Sequence, residues 1–282
     1  FPAGETWELE PNNSLEFAGR FNIGERLKAR RDQSNDIDWF RLPIPKNGIL
    51  NLTASRILKN GSMNVYLLDS VGQPLDTIKL QTGDQKKSIN INVSTGEYFV
   101  NVDFFDFTGE YWLNAVLFAS VEHNILPDSI LSIGSNISVK LIWEKGNSAS
   151  FDILYDNSTK KLTAEPIPMF DDGQHNDGNA NDGVYVGNYI IKEKDNTNDA
   201  IIIVYAKDKY DNISEIPITG KPILIDTAPP VIIQVTHDAK MPLSVGSELN
   251  VTIKGEAGNK ATFDIASDNK DPDAQRLIGL IA

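Results

Sequence analysis

The chain contains no cysteine, so neither a disulfide nor a thiolate metal site can form. Histidine is nearly as scarce, and His123, His175 and His237 fall in different segments. No Gly-x-Ser-x-Gly, no His-Glu-x-x-His and no glycine-rich phosphate loop is present. These absences remove the usual carriers of hydrolytic and phosphoryl-transfer chemistry, and the expectation is that the chain is not an enzyme. No apolar run approaches the roughly 18 residues that a membrane helix needs, so no membrane span is expected. The first residues, Phe1-Pro2-Ala3-Gly4, lack the basic start and apolar stretch of a signal peptide. An export signal, if there was one, has been removed or lies outside this sequence. A convincing amphipathic helix is also missing.

What remains is acidic and rich in β-formers. The formal net charge of −13 repels phosphate backbones, which argues against nucleic acid as a partner. The same charge attracts divalent cations wherever carboxylates converge. Short runs of β-branched and aromatic residues recur at Ile37–Ile44, Gly48–Ala54, Met63–Leu68, Lys87–Val93, Glu97–Phe105 and Glu110–Phe118. Several alternate with period two: Tyr98, Val100 and Val102 share one face. Gly and Asn mark the turns between them, as in Lys46-Asn47-Gly48. This pattern predicts an all-β protein of tandem antiparallel sandwiches.

Two boundaries are expected, one after Phe118 and one at Asp226-Thr227-Ala228-Pro229-Pro230, where two prolines deny ladder donors. They divide the chain into residues 1–120, 121–226 and 227–282. An internal repeat crosses the second boundary. Leu131-Ser-Ile-Gly-Ser…Ser-Phe151-Asp-Ile153 returns as Leu243-Ser-Val-Gly-Ser…Thr-Phe263-Asp-Ile265, an offset of 243 − 131 = 112 residues. The second copy stops after about four strands, making the last segment a partial module.

Three features carry possible chemistry. The first is the loop from Asp171 to Gly183, where Asp171, Asp172, Asp177 and Asp182 crowd together with three glycines. A hard cation such as calcium would neutralise these carboxylates, while the glycines turn the backbone sharply. An Asx-rich turn held by its own hydrogen bonds accounts for the same residues. The second is split in sequence: Glu8 and Glu10 face one way, as do Asp36 and Asp38. Only folding can unite the two pairs. The third is a set of eight Asn-x-Ser/Thr sequons at Asn12, Asn51, Asn60, Asn92, Asn136, Asn157, Asn212 and Asn250, candidate glycan acceptors in an exported protein.

The segments Glu8-x-Glu10-Pro-Asn-Asn, Asp36-x-Asp38-Trp-Phe, Gly96-Glu-Tyr98-Phe-Val and Gly109-Glu-Tyr-Trp-Leu resemble the bacterial pre-peptidase C-terminal domain over residues 1 to about 120. The resemblance implies a jelly-roll-like β-sandwich trailing a secreted protein. It also implies a calcium site with Glu8, Glu10, Asn12, Asn13, Asn35 and Asp38 as ligands. Asn13 and Asn35 depart from the family, whose members often carry Asp there. Residues 121–226 are similar to bacterial immunoglobulin-like surface modules in the loop Asp171-Asp-Gly…Asp182-Gly-x-Tyr and in the closing Asp226-Thr-Ala-Pro-Pro.

Together these readings predict a non-catalytic, extracellular array of a prokaryotic cell-surface protein, such as a surface layer, filament or stalk, stiffened by calcium. Its expected partners are other copies of itself or other surface proteins, with a glycan or fibrous protein as a possible ligand. The alternative is an accessory, substrate-binding region of a secreted hydrolase or peptidase.

Overall fold

The computed structural model describes residues 5–31, 36–58, 60–208, 211–218, 220–256, 260–267 and 275–281, with side chains as far as residue 263. The protein is almost entirely β, as the alternating pattern requires. Its one short helical turn among the described residues is Leu15–Phe17. The chain divides into two compact units, Phe1–Asp226 and Thr227–Ala282.

The first unit opens with ten strands in two five-stranded sheets. One sheet has the order β1 (Glu5–Trp7), β3 (Arg26–Arg31), β10 (Gly109–Phe118), β5 (Gly48–Arg56), β8 (Lys86–Val93). The other runs β2 (Gly19–Arg20), β4 (Asp38–Ile44), β9 (Gly96–Phe105), β6 (Ser62–Leu68), β7 (Pro74–Leu80). Pairing is antiparallel except at one edge, where β1 joins β3 and β2 joins β4 in parallel. Inward residues of both sheets, among them Leu27, Phe40, Leu52, Val65, Val100 and Leu113, form one apolar core. Burying such side chains contributes roughly 1.5–3 kcal/mol each.

Ten more strands surround a second core. A three-stranded sheet has the order β11 (Ser120–His123), β13 (Asn136–Ile142), β17 (Val184–Ile190). Facing it lie β12 (Ile130–Leu131), β20 (Ile223–Ile225), β18 (Thr197–Lys207), β14 (Ser148–Tyr155) and β15 (Lys160–Lys161). β16 (Ile167–Met169) pairs with β14, and β19 (Ile213–Pro217) with β18. Val116 and Phe118, at the end of β10, belong to this second core, so one strand feeds both. Phe118 packs on Trp143 with ring centroids 5.4 Å apart.

The second unit holds β21 (Ile232–His237) paired with β22 (Val251–Gly255), and β23 (Ala261–Ser267) paired with β24 (Gln275–Ile281). The repeat of the sequence is also a repeat of strand register. Phe151 pairs with Ile167 and Ala149 with Met169; 112 residues later Phe263 pairs with Gly279 and Ala261 with Ile281. Phe151 is fully buried, whereas Phe263 is 40% exposed.

Candidate metal centre

In β4 the pleat turns Asp38, Phe40, Leu42 and Ile44 inward, with Arg41 and Pro43 exposed. The alternation that builds the core therefore also drives the carboxylate of Asp38 out of water, to 0% exposure. Tyr111 of β10, fully buried, donates its hydroxyl to Oδ2 of Asp38. Asn12 is equally buried, and its backbone carbonyl accepts the N–H of Trp39 at 2.9 Å, tying the segment after β1 to the start of β4.

That segment brings two more carboxylates. Oε1 of Glu8 accepts the N–H of Arg30 at 2.5 Å, and its Oε2 accepts Nδ2 of Asn12 at 3.2 Å. Oε2 of Glu10 accepts the N–H of Asn12 at 2.8 Å. The carboxylate oxygens of Glu8, Glu10 and Asp38 lie within 4.8 Å of one another, and no other such group of acidic or histidine side chains occurs among the described residues.

Three carboxylates this close, one of them fully buried, repel. Burial first, then the charge of Glu8, pushes Asp38 up to about 8. Burial pushes Glu8 up to about 7 against the hydrogen bonds from Arg30 and Asn12 that hold it down. The Tyr111 hydroxyl is raised by its burial and then by the charge of Asp38. Two buried oxygens of the group, Oδ1 of Asn12 and Oδ1 of Asp38, accept no hydrogen bond. Leaving a buried acceptor unmet costs about 1–3 kcal/mol. A divalent cation fits this donor set. It would neutralise the carboxylates and satisfy both oxygens, and all-oxygen donors suit calcium or magnesium.

Asn13 is spent differently, its Oδ1 accepting the N–H of Ile37 at 3.2 Å. Asn35 lies outside the described residues. Sequence reasoning does not single out Tyr111 as a site residue, although it belongs to the motif Gly109-Glu-Tyr-Trp-Leu. The signal is a tyrosine at an inward position opposite an inward aspartate, and a single sequence does not show which strands face each other.

The Asp171–Gly183 loop is organised around its own backbone. Asp171 accepts the N–H groups of Asp182 and Gly183 at 2.9 and 3.0 Å. Asp177 accepts those of Gly173 and His175 at 2.8 and 3.1 Å. Asp182 accepts those of Asn179 and Val184, both at 3.0 Å. Asp172 accepts the N–H of Gln174 at 2.9 Å and pairs with His175 at 3.0 Å. The hydrogen bond from His175 holds Asp172 below its ordinary range, and the Gly173 amide does the same for Asp177. The four carboxylates form no group as tight as that of Glu8, Glu10 and Asp38, and each is capped by backbone amides of the loop.

Burial also sorts the sequons. Asn12 and Asn51 are 0% exposed, and Nδ2 of Asn51 donates to Oδ1 of Asn90 at 2.9 Å, so neither can accept a glycan in the folded chain. Asn60, Asn92, Asn136, Asn157 and Asn250 are exposed and Asn212 is partly so.

The family described as a secretion system C-terminal sorting domain matches residues 42–106. That span covers most of β4 through β9, the middle of the first sandwich, and contains none of Glu8, Glu10, Asn12 and Asp38. A solved pre-peptidase C-terminal domain of a collagenase from Bacillus anthracis is similar at 17% identity and a TM-score of 0.31, over 37% of this chain and 99% of its own. A marsupial T cell receptor is similar at 10% identity and a TM-score of 0.25, over 82% of this chain and 85% of its own. No curated protein matches the chain. The match to a sorting domain marks the chain as a secreted, cell-surface protein, and no described helix is long and apolar enough to cross a membrane.

Proposed function

We propose that the chain is a non-catalytic structural array of a cell-surface protein whose first sandwich is clamped by calcium at Glu8, Glu10, Asn12 and Asp38. One observation carries the clamp: three carboxylates converge within 4.8 Å around a fully buried aspartate, beside two buried oxygens that accept no hydrogen bond. A cation there joins the segment after β1 to β4, so it ties the open edge of the sandwich to its core. Binding to the folded state alone stabilises by mass action. Extracellular modules of this kind bind calcium with dissociation constants on the order of 10⁻⁴–10⁻³ M. The register-matched repeat at 112 residues supports an array of modules, with residues 121–226 as an immunoglobulin-like unit and 227–282 as part of a second. The motifs shared with pre-peptidase C-terminal domains favour a second reading, an accessory region of a secreted hydrolase.

The test is a thermal melt with and without EDTA, followed by calcium titration with light scattering. Chelation is expected to lower Tm by several degrees and calcium to restore it. Scattering that rises with calcium favours the self-assembling array over the accessory region. A Tm indifferent to chelation and to added calcium overturns the clamp.

A further inference from the structure

β1 and β2 are both edge strands, so the first sandwich is open between them. A groove of about 480 Å³ lies there. Its floor reaches Phe40 of the core, beside Gly19. One wall carries Trp7, 39% exposed, and Leu9, 80% exposed. Trp7 is held by the ammonium of Lys28, 4.3 Å from its ring centroid. The lining also carries a ladder of planar polar groups. Nε of Arg20 donates to Oδ1 of Asn22 at 2.7 Å, and Nδ2 of Asn22 donates to Oε2 of Glu25 at 2.9 Å. Glu8 lines the groove and also belongs to the carboxylate cluster.

We infer that this groove binds a neutral saccharide, with Trp7 as the stacking platform and the Arg20–Asn22–Glu25 ladder as the hydrogen-bonding rim. A sugar ring has an apolar C–H face for an indole and hydroxyls that both donate and accept. The ladder offers a guanidinium, an amide and a carboxylate already fixed in place, so little side-chain entropy is lost on binding. Charge decides against other ligands. Glu5 and Glu25 balance Arg20 and Lys28, and a clamped Glu8 adds no free charge, so the groove has no excess positive charge to favour uronates, sialylated glycans or nucleic acid. Strand addition by a peptide is disfavoured because the flanking strands are only three and two residues long, too short to template a ladder. The inference rests on the cation reading in one respect: a clamped Glu8 holds the Trp7 wall in place.

The experiment titrates the full chain in millimolar calcium with maltotriose, cellotriose and triacetylchitotriose, by calorimetry and by tryptophan fluorescence. Trp7→Ala and Arg20→Ala are run beside it, each checked for the calcium-induced shift in Tm that shows its fold intact. Binding of one trisaccharide, weakened at least about tenfold in either variant, is expected. Binding unchanged in both variants places the sugar elsewhere and overturns the inference. No sugar binding, with Tm still raised by calcium, overturns the saccharide site and leaves the clamp standing. Sugar binding with no calcium effect on Tm upholds the groove and overturns the clamp. A Lys-Leu-Lys-Leu-Lys peptide that binds in a Trp7-dependent way where no sugar does overturns it in favour of a peptide.

Discussion

Asp38 sits at an inward position of a core strand, where a water-facing pleat would have cost nothing. Without a counter-charge its carboxylate penalises folding, and that penalty can be read with a single atom change. Asp38→Asn keeps an oxygen for the Tyr111 hydroxyl and removes the charge. In EDTA at pH 8 this variant should melt no lower than the parent, and calcium should no longer raise its Tm. A variant that melts lower in EDTA yet still responds to calcium would show the carboxylate to be structural. The same penalty sets a pH dependence. Asp38 is raised to about 8 and Glu8 to about 7, both above their unfolded values near 4. Their protonated forms therefore stabilise the fold, and that contribution is lost as pH rises through 7 and 8. Metal-free protein should accordingly melt several degrees higher at pH 6 than at pH 8.5, and saturating calcium should shrink or invert the difference. The acidic pairs themselves were legible in sequence. Their union was legible only through the family resemblance, because residues 8–12 and 38 meet only where the segment after β1 folds against the start of β4.

At the scale of elements, six core strands stand in the alternation within a residue or two of their observed ends. β3 does not. Its sequence, Arg-Leu-Lys-Ala-Arg-Arg, holds four cations in six residues, and the inward set Leu27, Ala29 and Arg31 includes one of them. Arg31 is buried because Nη1 donates to the carbonyl of Phe107 at 2.6 Å and its guanidinium lies 5.4 Å from the Phe104 ring centroid. A satisfied arginine in the core breaks the apolar pattern a reader looks for. β7 begins at Pro74 and lies at a sheet edge, where proline costs no ladder bond. The acidic loop is ambiguous in sequence for a related reason: the same aspartates and glycines make cation sites and self-capped turns, and only hydrogen-bond geometry separates them. Next to that loop, Tyr185 of β17 donates its hydroxyl to the carbonyl of Glu144 at 2.9 Å and accepts the N–H of Asn147 at 3.2 Å. Tyr185→Phe keeps the ring in the core and frees the turn between β13 and β14. A loss of about 1 kcal/mol per hydrogen bond is expected in chemical denaturation, with the denaturant slope unchanged.

Across the whole molecule, the two cores of residues 1–226 are joined by more than β10. Nδ2 of Asn90 donates to the carbonyl of Glu215 at 3.2 Å, and Nζ of Lys86 donates to that of Ile213 at 3.1 Å. The described residues between 227 and 263 lack comparable packing: Ile233 is 65% exposed and Val235 41%, although both are strand residues. Brief digestion with a low-specificity protease such as subtilisin should leave a resistant fragment ending close to Asp226 and degrade the segment from Thr227 onward. Equal survival of both parts in mass spectrometry would refute this. The repeat was visible in sequence because its apolar and turn positions recur without a gap. That the copies differ in burial was not, since Phe151 and Phe263 occupy equivalent positions and differ only in what covers them.

Residues 8 and 38 are 38 − 8 = 30 apart along the chain. A cation gripping both closes that span as a staple does. A covalent staple of this length removes about 3–4 kcal/mol of chain entropy from the unfolded state, whereas an ionic one adds what mass action gives at the ambient calcium. The ionic kind needs no thiols and no oxidant, which suits a chain without cysteine. It closes only where free calcium approaches the 10⁻⁴–10⁻³ M range of extracellular sites. If the proposed clamp holds, the chain would stay pliable on the inner side of the membrane and stiffen on arrival outside, so its location would set the moment of locking.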